Sequence, residues 1–293
     1  MRVSTYQQFQ SYTNNISEAQ TRYLKIQNQL SSGKRIMNPS DDPSDTAMVV
    51  SLHTLRNAAE RYTKNLQIGK NYLAFSETAL DESHALVRRG YELAVRGANG
   101  ATDQTSREGM IREVSELQRK LIELGNSRGP NGEFLFSGQL TNTKPFTFNV
   151  NTPVFNGDSN PITIEHAADE SMQVNTQADQ LYLDAWNRLE SLKTNLSGGN
   201  TGAISGIDIA ALQQSLDSFN QERGNIGAKM QYVESRIADH SRRIDEFSKS
   251  ASELEEVDMA KAIVEYQAAE AAYSASLQVA SKGFQLSLMD FIR

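Results

Sequence analysis

The chain has 293 residues, of which 38% are hydrophobic and 22% are charged, and its formal net charge is −7. This acidic balance argues against a nucleic-acid partner, because nucleic-acid-binding proteins usually present a basic face. The absence of cysteine excludes disulfides and the common cysteine-containing zinc sites. Since no stretch of about 20 apolar residues occurs, we expect no membrane span. Residues 1–9 lack the apolar segment of a signal peptide, so secretion would have to proceed without a cleaved Sec signal.

Helical spacing begins close to the start of the chain. Apolar residues recur every three or four positions, which predicts a first helix over about 4–31. Gly33 is expected to end this helix, and a proline-containing turn follows. Asp42 is placed to cap a second helix, with Pro43 at its first position, and this helix is predicted to run to about residue 98.

Proline-free segments farther along the chain carry the same spacing. They predict a third helix over about 103–126 and a fourth over about 179–196. The longest apolar seam follows at 209–254. Across 255–258 the register slips by two residues before the final seam begins, which indicates a junction between two packing environments.

The pattern changes in the central, proline-rich part of the chain. There, apolar residues alternate or cluster as they do in short strands, and we interpret 132–138 and 145–150 in this way. Asn156 and Gly157 form a turn signal of the kind that joins two strands. We therefore predict a small β-rich region over about 132–177.

The predicted fold class is mainly α-helical. We expect a long antiparallel helical rod or bundle with paired terminal coiled-coil helices and a small β-rich outer domain. The expected domains are a terminal-helix domain of residues 1–40 and 256–293, an α-helical rod domain of residues 41–131 and 178–255, and a small β-rich tip or outer domain of residues 132–177.

Both ends of the chain carry apolar stripes, although the termini of ordinary domains are usually polar and frayed. Such stripes would stay exposed in isolation, so we predict that they pair with each other or with neighbouring copies. The residues expected to form this assembly interface are Phe9, Tyr12, Ile16, Tyr23, Ile26, Leu30, Tyr266, Tyr273, Leu277, Ala280, Phe284, Leu288 and Phe291.

Residues that could support catalysis or bind a metal are not grouped in the sequence. The four histidines are far apart, and His240 lies in a helical seam, where we expect a packed, hydrogen-bonded side chain. Asp41, Asp42 and Asp45 lack the spacing and the closing glutamate of an EF-hand, so helix capping is the better interpretation. Residues 31–34 end like a phosphate-binding loop but lack its first glycine and its hydroxyl residue. We therefore expect neither enzyme activity nor a cofactor or metal.

Three long segments carry a resemblance to a known family. They are QNQLSSGKRIMNPSDDPSDTA at 27–47, LVRRGYELAVRGANG at 86–100, and the alanine- and glutamine-rich tail from Val257. The first resembles the QLSSGKRIN stretch and DDPA turn of the flagellin family. The second resembles that family's LQR-RELAVQAANG segment, and the tail resembles its C-terminal helix. The resemblance covers about 1–150 and 205–293.

Two further segments resemble the hook-associated members of that family. GEFLFSG at 132–138, followed by Pro145 and Phe146, is similar to their FLFSG…PF signature. The ending QLSLMDF at 285–291 is similar to their SLLDYL-type terminus, whereas flagellins usually end near LSLLR. This resemblance implies a structural subunit at the junction between hook and filament, which filament assembly and motility require.

The resemblance also implies partners and a location. The expected partners are hook-associated protein 1, flagellin, further copies of this chain, and a flagellar export chaperone that binds the C-terminal helix. Neither a nucleic acid nor a membrane is expected among them. The chain would leave the cell unfolded through the flagellar type III export apparatus and assemble outside the cell, on the distal side of hook-associated protein 1.

The sequence leaves two alternatives open. One is flagellin itself, the subunit of the filament. The other is an intracellular coiled-coil adaptor, which would form a stable oligomer in the cytoplasm and would not be exported.

Overall fold

A computed structural model describes residues 2–99 and 103–292. The fold is mainly helical, as expected. Its helices are α1 Arg2–Ser32, α2 Pro43–Gly97, α3 Gln104–Gly125, α4 Asp179–Ser197, α5 Thr201–Ala203, α6 Ile209–Glu255 and α7 Met259–Ile292, and a π-helical turn, Ile204–Asp208, joins α5 to α6. Its strands are β1 Phe146–Asn149, β2 Thr152–Phe155, β3 Thr163–Ala167 and β4 Glu170–Gln173.

Local signals at the turn between α1 and α2 act as predicted. Gly33 follows α1 with a φ of +71°, a left-handed conformation that glycine adopts without a steric penalty. Pro43 is the first residue of α2, and Asp42 Oδ1 accepts a hydrogen bond of 3.1 Å from the Asp45 backbone N–H. Asp42 therefore satisfies an N–H group that the first turn of a helix leaves without a partner.

The predicted slip in register corresponds to a break between two helices. Helix α6 ends at Glu255 and α7 begins at Met259. Asp258 caps the new helix, because its Oδ1 accepts hydrogen bonds from the N–H groups of Ala260 and Lys261 at 3.0 and 3.1 Å.

The chain forms two compact units. One consists of Met1–Ala58 and Arg243–Arg293, and the other of Ala59–Arg242. The first unit contains α1, α7, the start of α2 and the end of α6. The second contains the remaining parts of α2 and α6, together with α3, α4, α5 and the strands.

Close packing of α4 on α2 builds the core of the second unit. A Cβ atom at Gly90 would lie 2.5 Å from Leu189 Cδ2, and one at Gly97 would lie 2.5 Å from Leu196 Cδ2. The two glycines therefore let leucines of α4 approach the α2 backbone closely. A neighbouring column of α2 is completely buried; its members are Leu66, Leu73, Leu80, Val87 and Ala94.

The β-rich region consists of two antiparallel pairs, β1 with β2 and β3 with β4. The prediction of a strand at 132–138 is wrong, because these residues form turns with an isolated bridge between Phe134 and Arg128. Gly132 and Gly138 have φ values of +85° and +66°, which curl the segment instead of extending it. The curl buries three successive side chains, those of Phe134, Leu135 and Phe136.

Two buried polar residues of the second unit, His240 and Ser83, have hydrogen-bond partners. His240 is buried, and its Nε2 lies 2.8 Å from the backbone carbonyl oxygen of His166, which confirms the packed histidine that its seam position predicted. The hydroxyls of Ser83 and Tyr182 are 2.9 Å apart, and Ser83 also donates to the carbonyl of Ala79. Burial raises the pKa of Tyr182, so the phenol stays protonated and the pair stays neutral.

Candidate functional site

The candidate site is the pair formed by the first and last helices, which lie antiparallel within one unit. Tyr23 of α1 sits between two tyrosines of α7, with ring centroids 5.3 Å from Tyr266 and 5.9 Å from Tyr273. The Tyr23 and Tyr266 hydroxyls are 2.9 Å apart, and this hydrogen bond raises the pKa of Tyr266. Aromatic pairs at these separations stabilise a contact beyond simple burial, so the three rings fix the register of the two helices.

The face of α7 that contacts α1 includes several small residues. Gly283 packs against the ring of Tyr12, since a Cβ atom there would lie 2.8 Å from Tyr12 Cε2. Spacings of three and four residues place Gly283, Tyr266 and Tyr273 on one face of α7. The buried alanines of α7, which share that face, are Ala262, Ala269 and Ala280.

The predicted interface residues are distributed unevenly over this pair. Ile26 and Ala280 are buried and Phe9 and Leu277 are exposed. The half-buried members are Tyr12, Ile16, Tyr23, Leu30, Tyr266 and Tyr273. The side chains of Phe284, Leu288 and Phe291 lie outside the described residues.

Large apolar side chains of α7 point away from the buried face. Ile263, Val264, Leu277 and Val279 are 47%, 65%, 43% and 56% exposed. Among these four residues, only Leu277 belongs to the predicted interface set. Ala280 is also in that set, whereas the buried Ala262 and Ala269 were not predicted.

The turns at the inner ends of α1 and α7 are joined through the backbone. The Val257 N–H donates to the carbonyl of Gly33 at 3.0 Å, and the Arg35 N–H donates to the carbonyl of Glu255 at 2.6 Å. Lys34 and Glu256 form the antiparallel bridge between these two bonds. We call these two joined turns, residues 33–45 and 254–258, the turn clamp.

Arg35 ties the side chains of the turn clamp together. Its guanidinium donates to Asp42 Oδ2 at 3.3 Å, to Asp45 Oδ2, and to the backbone carbonyl of Leu254 at 2.8 Å. The Asp45 N–H, together with Arg35, lowers the pKa of Asp42, so that carboxylate stays ionised. The sequence did not reveal this role, because 219 positions separate Arg35 from Leu254.

Asp41 orders the turn that leads into the clamp. Its Oδ1 accepts from Lys25 Nζ at 2.8 Å, and its Oδ2 accepts from the N–H groups of Met37 and Asn38 at 3.2 and 3.0 Å. The Lys25 contact and the two backbone N–H groups lower the pKa of Asp41 to about 2. The carboxylate is therefore ionised, and holds the turn, at all ordinary pH values.

Neither a metal-holding cluster nor a membrane-spanning helix is found among the described residues. In ranges 2–99 and 103–292, no three His, Asp or Glu side chains are arranged to hold a metal ion. Among the described helices, none combines the length and the apolar character that crossing a bilayer requires.

The fold and the site define a class, a mainly helical protein whose first and last helices pair and leave several large apolar side chains exposed. The chain belongs to the flagellin family: sequence profiles of the bacterial flagellin N-terminal and C-terminal helical regions match residues 3–141 and 207–292. It is therefore a structural protein of the bacterial flagellum and not an enzyme.

Individual relatives include hook-associated proteins and flagellins. Flagellar hook-associated protein 3 of Escherichia coli (strain K12) is 26% identical over 215 residues, which cover 73% of this chain and 65% of that protein. The chain thus spans about two thirds of the length of that relative. A flagellin of Bacillus subtilis (strain 168) is 24% identical over 272 residues, or 86% of each chain.

The fold is also found in a solved structure. The crystal structure of flagellar hook-associated protein 3 from Legionella pneumophila superposes with a TM-score of 0.65, covering 70% of this chain and 98% of that one. Sequence identity in this comparison is 13%, so the likeness is one of fold.

The turn clamp gives a first testable prediction. Replacing Arg35→Ala removes three side-chain hydrogen bonds of the clamp, of which the one to Leu254 joins the two turns, so the Val257 amide should exchange with deuterium about three- to tenfold faster. Arg22→Ala, which removes an exposed cation from the same region without touching the clamp, is the matched control and should leave this rate unchanged. Equal rates in the wild type and Arg35→Ala would show that Arg35 does not hold the turns together.

The Asp41 carboxylate gives a second prediction. Its folded pKa lies below its usual value of 3.8, so its contribution to stability is complete above about pH 4 and is lost as the pH falls towards 2. A carboxyl-carbon NMR titration should give a pKa near 2 for the wild type. Lys25→Gln should raise it towards the usual value, whereas Lys25→Arg should leave it low. A wild-type value near 3.8 would refute the Lys25 contact.

Proposed function

We propose that the chain acts as a hook-associated protein 3, the structural subunit that joins hook to filament on the distal side of hook-associated protein 1. In this role it is needed for filament assembly and for motility, and it lies outside the cell. The Escherichia coli relative supports this reading, as do the FLFSG…PF segment and the terminal sequence at 285–291.

The observation that carries the proposal is the distribution of side-chain size around α7. Small residues fill the contact with α1, whereas Ile263, Val264, Leu277 and Val279 remain exposed. Large exposed apolar side chains such as these are candidates for burial in an assembly interface. Covering them with helices of neighbouring subunits would contribute about 25 cal/mol for each Å² removed from water.

The domain roles follow from this arrangement. Residues 1–40 and 256–293 form the inner core of the assembly, where equivalent helices of neighbouring subunits cover one another. Residues 41–131 and 178–255 form the rod domain, and 132–177 form the outer domain. Hook-associated protein 1 and flagellin are the neighbours along the axis.

Export completes the proposal. The chain travels unfolded through the flagellar type III apparatus, and an export chaperone covers its C-terminal helix before export. The exposed apolar face of α7 supports this step, because an uncovered face would promote premature association in the cytoplasm.

A second candidate function is that of flagellin itself. The match with the Bacillus subtilis flagellin covers 86% of both chains, so flagellin remains a candidate function. The FLFSG…PF segment and the MDF ending favour the hook-associated role. Membership of the flagellin family disfavours the intracellular adaptor.

A gene deletion tests the proposal and separates it from the flagellin reading. A strain that lacks the chain should retain hooks, release unpolymerised flagellin into the medium and be non-motile. Electron microscopy and analysis of culture supernatant provide the readout. Normal filaments in the deletion strain would overturn the proposal, and loss of the filament protein itself would identify the chain as flagellin.

Complementation of that strain tests the face on α7. Leu277→Asp places a charge on the exposed apolar surface and should abolish filament growth, because assembly would bury an unpaired charge. Leu277→Met, which keeps this position apolar, is the matched control and should restore filaments. Circular dichroism should be unchanged in both variants. Filaments with Leu277→Asp would remove this surface from the interface.

A further inference from the structure

A polar cleft lies between α4 and the first turns of α6, within the unit Ala59–Arg242. Its volume is about 230 Å³, below the roughly 300–1,000 Å³ of typical small-molecule sites. The side chains that matter for its chemistry are Gln177, Gln180, Leu181, Asp184, Arg188 and Ser215. A cleft of this size suits a ligand no larger than a single sugar residue.

Ser215 lines the cleft with a hydroxyl that has no partner. Its side chain is 97% buried, as the residue retains only 3% of its exposure, and its Oγ has no hydrogen-bond partner in the described part of the chain. A buried serine on a helix usually donates to the carbonyl four residues earlier. Here that acceptor is Ala211, and Arg188 Nη1 already donates to its oxygen. An orphaned buried hydroxyl is costly, and a ligand that hydrogen-bonds to it would remove this cost.

A neighbouring serine shows that the arrangement at Ser215 is unusual. Ser218 also borders the cleft, but it is exposed and donates to the carbonyl of Gln214 at 2.9 Å. The two serines are on the same helix, so the local backbone is the same. The difference lies in the guanidinium of Arg188, which occupies the acceptor that Ser215 would use.

The charges of the cleft balance without forming a pair. The Arg188 side chain, on α4, donates hydrogen bonds to two groups of α6, the backbone carbonyl of Ala211 and, at 3.1 Å, Gln214 Oε1. Neither Arg188 nor Asp184 forms an ion pair with a residue in ranges 2–99 and 103–292. Asp184 is one helical turn from Arg188, the spacing at which acid and base normally meet. A fixed cation, a free carboxylate and neutral amide groups together offer donors and acceptors with no net charge.

We propose that this cleft binds a neutral polyhydroxy ligand, a single sugar residue that is either free or at the end of a glycan. The hydroxyls of such a ligand both donate and accept, so they can satisfy Asp184, Arg188 and Ser215 together, and Leu181 provides an apolar contact for one face of the ring. The negative charge of Asp184 would repel an anion, and the positive charge of Arg188 would repel a cation, so the cleft disfavours both. The site is independent of the terminal helices and of the role proposed for them.

Saturation-transfer NMR on the full chain tests the proposal. The probes are the methyl glycosides of glucose, mannose and galactose, with maltotriose as a glycan end and L-alanine as a zwitterion of similar size. We expect at least one glycoside to bind with a dissociation constant on the order of 1 mM. Tighter binding of maltotriose would identify a glycan as the source, and equal binding would identify a free sugar. Binding of none of the sugars, or of L-alanine alone, would overturn the proposal.

Two serine variants locate the binding in this cleft. Ser215→Ala should weaken the sugar about three- to tenfold, because it removes one hydrogen bond. It should also leave the melting temperature of the free chain unchanged or higher, since the deleted hydroxyl has no partner among the described residues. Ser218→Ala is the matched control and should bind within about twofold of the wild type, as its hydroxyl is already engaged. Unchanged affinity in Ser215→Ala, or a lower melting temperature, would assign Ser215 an ordinary packing role.

Discussion

The contact between large residues of α1 and a small-residue face of α7 is the feature on which the terminal unit depends. Tyr23 lies between Tyr266 and Tyr273, and Tyr12 covers Gly283. Alanine and glycine share the buried face with Tyr266 and Tyr273, and the aliphatic residues Ile263, Val264 and Val279 of α7 are exposed. One packing choice therefore both pairs the chain ends and creates the apolar surface that an assembly subunit needs.

The turn clamp explains how two helices more than 200 positions apart along the chain come into register. A backbone hydrogen bond joins Gly33 to Val257. The Arg35 guanidinium then donates hydrogen bonds to the carboxylates of Asp42 and Asp45 at the start of α2. Exposed ion pairs alone stabilise little, but here the guanidinium also bonds a backbone carbonyl. Helix ends that would otherwise fray are thereby held where the terminal pair begins.

Local rules predicted most of the helical framework, and contacts between distant parts of the chain account for what they missed. The cap at Asp42 and the break before Met259 depend on neighbouring residues, so the sequence shows them directly. The turns at 132–138 were mistaken for a strand because their burial is imposed by the rest of the second unit. The role of Arg35 and the orphaned hydroxyl of Ser215 require knowledge of which helices meet, which periodicity does not provide.

The central claim is that assembly covers the outer face of α7. Since the chain has no cysteine, Val264→Cys introduces a unique thiol at a position that is 65% exposed in the single chain. Maleimide labelling should be fast in the free protein and at least about tenfold slower in purified flagella, because subunit interfaces exclude solvent. Val150→Cys, at a position in the predicted outer domain that is 90% exposed, should label equally in both states. Equal labelling of Val264→Cys before and after assembly would contradict the account.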